Sequence, residues 1–169
     1  MGDTPSPFTT NTMSDYRATI NWRHDGPGSF LKRQYTREHS WHFDGGITVP
    51  ASSAPSSVPA PWSNADNVDP EEAFVASIAS CHMLTYLYVA SGAGFAVRSY
   101  QDDAVGRMTA DPKGRLWVSH IALSPKIEYA DGAAPSAERE AALHHQAHDA
   151  CYIANSVRSE ITVRPRPVG

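Results

Sequence analysis

Apolar residues crowd most densely between Asp69 and Ser91, where the chain reads DPEEAFVASIASCHMLTYLYVAS. Phe74, Ile78, Cys81 and Thr85 recur at helical spacing, with Ala76, Met83, Leu84 and Leu87 around them. The stretch predicts one helix of roughly 20 residues, about 30 Å long. It opens with its own capping chemistry: Asp69 as N-cap, Pro70 at the first helical position, and Glu72 three residues after the cap. Gly92 and Gly94 stop it. Because it is apolar on most sides, the helix is expected to be buried in the middle of a domain. Glu71, Glu72 and His82 interrupt the run and small residues are as frequent as large ones, which argues against a membrane span.

The other segments show strand-like patterns. Tyr16 to Trp22 alternates, and Phe30 to Thr36 and Ser40 to Val49 read as two further strands, giving an antiparallel meander. Residues 50–68, rich in Pro, Ser and Ala, form a long loop into the central helix, of a length that often carries function. Ala96 to Ala110 and Leu116 to Tyr129 predict two long strands joined by a turn at Asp111-Pro112-Lys113-Gly114. A second helix is expected from Ala137 to about Ala150, capped by Ser136 with Glu138 in its first turn. Glu160 to Val163 closes the plan as a short strand. Three strands, helix, two strands, helix, strand is an α+β arrangement with antiparallel sheets and helices on one face.

At 169 residues the chain is most simply a polar, disordered tail over 1–15 and a single domain over 16–169. Met13 offers an alternative start. With 14 Lys+Arg against 18 Asp+Glu and no basic cluster, a general nucleic-acid binder is disfavoured. The first residues lack the cationic start and apolar stretch of a signal peptide, so a cytoplasmic location is expected, with no membrane partner. In that compartment the two cysteines, 70 positions apart, are reduced or redox-active rather than a structural staple.

Cys81 sits in the middle of the central helix, where a thiol is either a small core residue or a nucleophile. His82 leaves the helix about 100° away from it and is not expected to touch its sulfur. In the second helix His144 and His148 are spaced i, i+4, and Cys151 lies three further on. A histidine-rich solvent face is the expected reading, with no metal; the alternative is that the helix continues, the three share a face and ligate a metal of zinc-like softness. Asp102 and Asp103, a carboxylate pair on a strand, are expected to face solvent. There is no glycine-rich phosphate loop and no Gly-x-Ser-x-Gly elbow.

The run Asp69-Pro70-Glu71-Glu72 leading into an Ala/Ser-rich helix with Cys81, followed by Cys151 with Asn155 and Ser156, resembles the OsmC/Ohr family: osmotically inducible protein C and organic hydroperoxide resistance protein. The resemblance covers about residues 16–164 and is nearest the OsmC-like branch. It implies an OsmC-like fold with antiparallel sheets around two central helices, and an intertwined homodimer with its sites at the interface. It also implies a cysteine-based peroxidase. Cys81 would be the peroxidatic thiol, attacking an organic hydroperoxide, and Cys151 the resolving thiol. An external dithiol of the lipoyl type would reduce the resulting disulfide, and no bound cofactor is expected. Glu71 matches the family's glutamate at the helix start. Arg23, in Trp22-Arg23-His24-Asp25-Gly26, resembles the Gly-Arg-Asp-Gly loop of the organic-hydroperoxide branch. In the other branch the arginine precedes a Phe-Glu/Asp-Gly turn, a place held here by His42. Arg23, Arg37 or His42 therefore supports the thiolate. A ligand- or metal-binding protein of the same fold is the alternative function.

Overall fold

The computed structural model describes residues 14–130 and 134–167. The tail expected over 1–15 and the alternative start at Met13 lie almost wholly outside the described residues. The chain forms two compact units, divided between Val68 and Asp69.

The first unit is the meander. Strands β1 (Ala18–Asn21), β2 (His39–Phe43) and β3 (Thr48–Ala51) pair antiparallel in that order, with Ala18 opposite Phe43 and His39 opposite Ala51. The boundaries differ from the expected ones. Phe30 starts a single 3-10 turn, Phe30–Lys32, rather than a strand. Phe30 packs on Tyr35 with ring centroids 4.7 Å apart, and Trp22 meets Tyr35 edge-on at 5.4 Å. The alternation there reflects aromatic clustering over a loop and not sheet pairing. Likewise 40–49 is not one strand, because a turn at 44–47 folds it into the β2–β3 hairpin.

The Pro/Ser/Ala-rich loop is ordered and closed at its base. The Ser52 N–H donates to the Val68 carbonyl at 3.0 Å and the Val68 N–H to that of Pro50 at 3.1 Å. Asn64 ties its middle down, donating through its backbone N–H to Ser52 Oγ and through its amide to Glu38. Side chains here satisfy backbone groups that no ladder reaches.

The second unit starts with helix α1 (Pro70–Gly92), the expected central helix. Its capping box is complete: Asp69 accepts from the Glu72 N–H and Glu72 accepts from the Asp69 N–H. By length and composition α1 could cross a membrane, but it packs as a domain helix. Ile78, His82, Thr85, Tyr86 and Ala90 are buried, whereas Leu84 is 61% exposed. One side of α1 is thus covered within the chain, fewer sides than its even apolar pattern suggests.

The two long strands expected after α1 are each broken. Strands β4 (Val97–Asp102) and β5 (Val105–Ala110) replace the first, and β6 (Leu116–Leu123) and β7 (Pro125–Tyr129) the second. β4 pairs with β7, and β5 with β6. At the break, Asp102 accepts the Ser124 N–H at 2.6 Å, the amide that the change of sheet leaves without a ladder partner. This half-buried carboxyl is therefore not a solvent-facing one, and burial raises its pKa. Asp103 is exposed and pairs with Arg166, whose Nε also donates to the Ser124 carbonyl. Strand β8 (Glu160–Val163) has the expected bounds but joins β6 in parallel, so the sheet is mixed.

Helix α2 (Ala137–Ala150) starts at the expected cap, Ser136, which accepts from the Arg139 N–H. Two apolar clusters hold α1 in this unit. One joins Tyr86 and Ala90 to Ile127, Leu143 and Ala147; the other joins Ile78 to Ile121 and Leu123. β5 approaches α1 closely at Gly106, where a Cβ would come within 2.5 Å of Val75 Cγ2 and 3.3 Å of Val118 Cγ1. Gly106→Ala is therefore expected to cost about 1–3 kcal/mol. Gly92→Ala, where a Cβ meets nothing within 4 Å, is expected to stay within about 0.5 kcal/mol. Urea unfolding of the two variants beside the native protein checks this.

Candidate active site: two thiols between two helices

Cys81 stands in the middle of α1, where its backbone carbonyl accepts the Thr85 hydroxyl at 2.9 Å. Its side chain is partly exposed. Cys151 is the C-cap of α2, with an extended backbone (φ −74°, ψ 114°), and is fully buried. The fold brings the two sulfurs together: Cys151 Sγ lies 2.7 Å from Cys81 Sγ, and both cysteines are free.

The end of α2 is shaped for this placement. Asn155 donates its amide to the carbonyls of Asp149 and Cys151, at 2.8 and 3.0 Å. The Ala154 N–H points at Cys151 Sγ at 3.4 Å. The Asn155 bonds use carbonyls at the end of the helix, and the chain turns there into the 3-10 turn Ala154–Ser156. Burial pushes the Cys151 thiol up to about 11, and its bond to Cys81 adds to the shift. Cys151 is thus held as a thiol at neutral pH.

The alternative metal set does not come together. The helix ends at Ala150, so Cys151 does not continue the helical face of His144 and His148. Its sulfur turns to Cys81, and His144 Nδ1 meets His82 Nε2 at 3.0 Å. His145 instead pairs with Asp149 at the surface. Among the described residues no three His, Cys, Asp or Glu side chains converge as a metal site.

The His82–His144 pair was not legible in the sequence beyond the expectation that His82 points away from Cys81. The rings are nearly parallel, 10° apart, and Tyr86 stacks on His144 at 4.2 Å. Tyr86 and Tyr129 share a 2.6 Å hydrogen bond, and Tyr129 donates onward to Glu140. A signal existed in His82 itself, one step from Ile78 and Thr85 on the apolar side of α1, but nothing local names its partner. Burial holds both imidazoles neutral. It lowers His82 to about 4, with His148 contributing, and His144 to about 3, with His82 contributing.

The remaining predicted residues occupy separate settings. Glu71 lies in the first turn of α1. Because α1 is unbroken, it stands ten residues, about 15 Å along the axis, from Cys81. In the first unit, Arg23 is exposed and pairs with Asp25 at 3.2 Å. Arg37 donates to the carbonyls of Arg33 and Tyr35 and lies over the Tyr35 ring at 3.8 Å. Both ring nitrogens of His42 are engaged by hydroxyls, those of Ser40 and Thr48.

The OsmC-like protein family matches residues 63–166, more than half of the chain, and the chain belongs to that family. An OsmC-like protein of unknown function from Vibrio cholerae is 40% identical, with a TM-score of 0.87 over 91% of this chain and 100% of its own. An organic hydroperoxide resistance protein from Elizabethkingia anophelis superposes with a TM-score of 0.67 at 18% identity, over 92% of this chain and 96% of its own. OhrB, the organic hydroperoxide resistance protein of Bacillus subtilis, gives 0.58 at 15% identity, over 89% and 98%. These last two share the α+β fold with two helices. No curated protein matches the chain.

The buried histidines set an acid limit. Their folded pKa values lie below the ordinary 6.5, so the unfolded chain binds protons that the folded one refuses. Their stabilising contribution is complete above about pH 6.5 and is lost as pH falls towards 4 and then 3. The urea midpoint of the native protein is expected to fall between pH 7 and pH 4.5 by clearly more than that of the non-titrating variant His82→Gln/His144→Asn.

Proposed function

We propose that this protein is a thiol-dependent peroxidase that reduces organic hydroperoxides to alcohols. The observation that carries the reading is the 2.7 Å approach of Cys81 and Cys151 across 70 residues of sequence. The unequal settings of the thiols suit unequal roles. Cys81 is reachable, and its thiolate attacks the hydroperoxide oxygen; the O–O bond breaks, the alcohol leaves with a proton, and Cys81 becomes a sulfenic acid. Cys151 is buried and held as a thiol. It attacks the Cys81 sulfur, the S–O bond breaks, water leaves and a disulfide forms. A dithiol of the lipoyl type then exchanges with that disulfide, restoring both thiols and becoming a cyclic disulfide itself. The apolar length of α1 around Cys81 favours an alkyl over a bare peroxide. The names of several fold neighbours, organic hydroperoxide resistance proteins, point the same way.

Glu71 and Arg23 are the groups we assign to support of the thiolate, with Arg37 and His42 as the competing sources. Since Glu71 and Cys81 are about 15 Å apart on one helix, one copy of Glu71 does not reach the sulfur of its own chain. A second copy supplies it in a homodimer. The exposed apolar residues Leu84 on α1, Val105 on β5 and Ile20 on β1 support such an assembly. A cytoplasmic location accords with working thiols.

The test is turnover of cumene hydroperoxide against hydrogen peroxide with a dithiol reductant. Native protein is expected to turn over the organic peroxide at least tenfold faster, and Cys81→Ser to lose turnover. If both thiols still titrate after peroxide, the peroxidase reading fails. Arg23→Ala is expected to slow the reaction more than tenfold without loss of fold; if Arg37→Ala or His42→Ala does so instead, the assignment moves there. Light scattering at micromolar concentration is expected to give a dimer mass, and a monodisperse monomer would overturn the shared site.

A further inference from the structure

The proposed chemistry leaves the histidine pair without a part. His82 and His144 are 1% and 4% exposed, in the same unit as the thiols. His144 Nε2 is buried with no hydrogen-bond partner among the described residues, so the 3.0 Å bond from its Nδ1 to His82 Nε2 is the polar contact that it makes. Two buried imidazoles joined this way are directional. One ring must present N–H and the other a lone pair, and displacing either leaves a second buried polar atom unpaired.

Apart from the stacking of Tyr86 on His144 and the meeting of the two sulfurs, the contact between α1 and α2 has no such direction. Tyr86 and Ala90 meet Leu143 and Ala147 through apolar surface. Burial of that kind rewards area and not register, and the alanines present little to resist sliding. The histidines are also placed to matter to the sulfurs. His82 follows Cys81 in α1, diverging from it by about 100° around the axis. His144 precedes Cys151, the C-cap of α2, by seven residues, about two turns along the helix. Two contacts that diverge on one helix and lie two turns apart on the other fix both slide and rotation.

We propose that the His82–His144 hydrogen bond is a register device that holds Cys151 against Cys81, making the two histidines positioning residues for disulfide formation. It rests on the peroxidase reading only for its purpose. The step it controls can be read without any hydroperoxide: oxidised glutathione takes two electrons from the Cys81 and Cys151 thiols, the Cys81–Cys151 bond forms, and two reduced glutathione molecules leave with the two protons.

The experiment equilibrates the full chain with reduced and oxidised glutathione at pH 7.5 and measures the effective concentration of the two thiols. His82→Leu/His144→Leu removes both partners together, which leaves no orphaned donor; its effective concentration is expected to fall at least tenfold. His144→Asn puts an amide where Nδ1 stands and is expected to stay within threefold of native. Leu143→Ala removes packing from the same helix and is expected to lower the urea midpoint while also staying within threefold. If the double variant does not fold, His144→Gln replaces it, because its amide reaches the Nε2 place and misses His82; the same tenfold fall is expected. The proposal is overturned if the bond-breaking variant stays within threefold of native, if His144→Asn falls as far as it does, or if Leu143→Ala does. Failure here leaves hydroperoxide turnover to stand or fall on its own assay.

Discussion

Helix α2 ends against α1 at a point where three kinds of contact converge. Alanines at 90 and 147 let the backbones come close, Tyr86 and Leu143 fill the space between them, and the imidazoles of His82 and His144 join by one hydrogen bond. Cys151 is the C-cap of α2, so its approach to Cys81 follows from how α2 is set against α1, and the histidine hydrogen bond is the directional one of these contacts. Buried polar pairs contribute little net stability when satisfied and cost much when half-satisfied. The pair therefore acts more on which packing is adopted than on how stable it is.

The electrostatics follow from burial. Desolvation disfavours the charged form of any group, so the same enclosure that raises the Cys151 thiol lowers the two imidazoles. All three are neutral at pH 7. A partly exposed Cys81 beside a buried, protonated Cys151 is an asymmetric pair, and a two-step reaction that uses one thiol as nucleophile and the other as resolver suits that asymmetry.

The sheets serve the helix pair by bending. If the two strands after α1 were continuous, they would form one long ribbon. Breaking both, at Asp103–Ala104 and at Ser124, lets β4–β7 pack beneath the Tyr86 cluster while β5–β6 packs beneath Ile78. The break leaves backbone groups unpaired, and Asp102 and the Arg166 side chain take them up. Gly106 then lets β5 lie close to Val75 of α1.

Much of this was readable from local chemistry. The starts of α1 and α2 follow from caps encoded within four residues, Asp69-Pro70-Glu71-Glu72 and Ser136 onward, and the turn at Asp111–Gly114 follows from its residue types. The pairing of the cysteines was available only through resemblance, since a separation of 70 positions leaves no local trace of it. What the sequence pattern could not reveal depends on partners far along the chain. Alternation over Phe30–Thr36 looks like a strand, but those aromatics pack on one another. A long alternating run does not say where it changes sheet, and Asp102 looks like a surface carboxylate until Ser124 is beside it. His144 and His148 look like metal ligands at i, i+4 until His82 arrives from 62 residues away and takes one of them. Caps and turns are interactions between neighbours in sequence, so the sequence by itself determined them. Sheet exchange, the histidine pair and the meeting of the thiols are interactions between distant residues, and only the tertiary structure decided them.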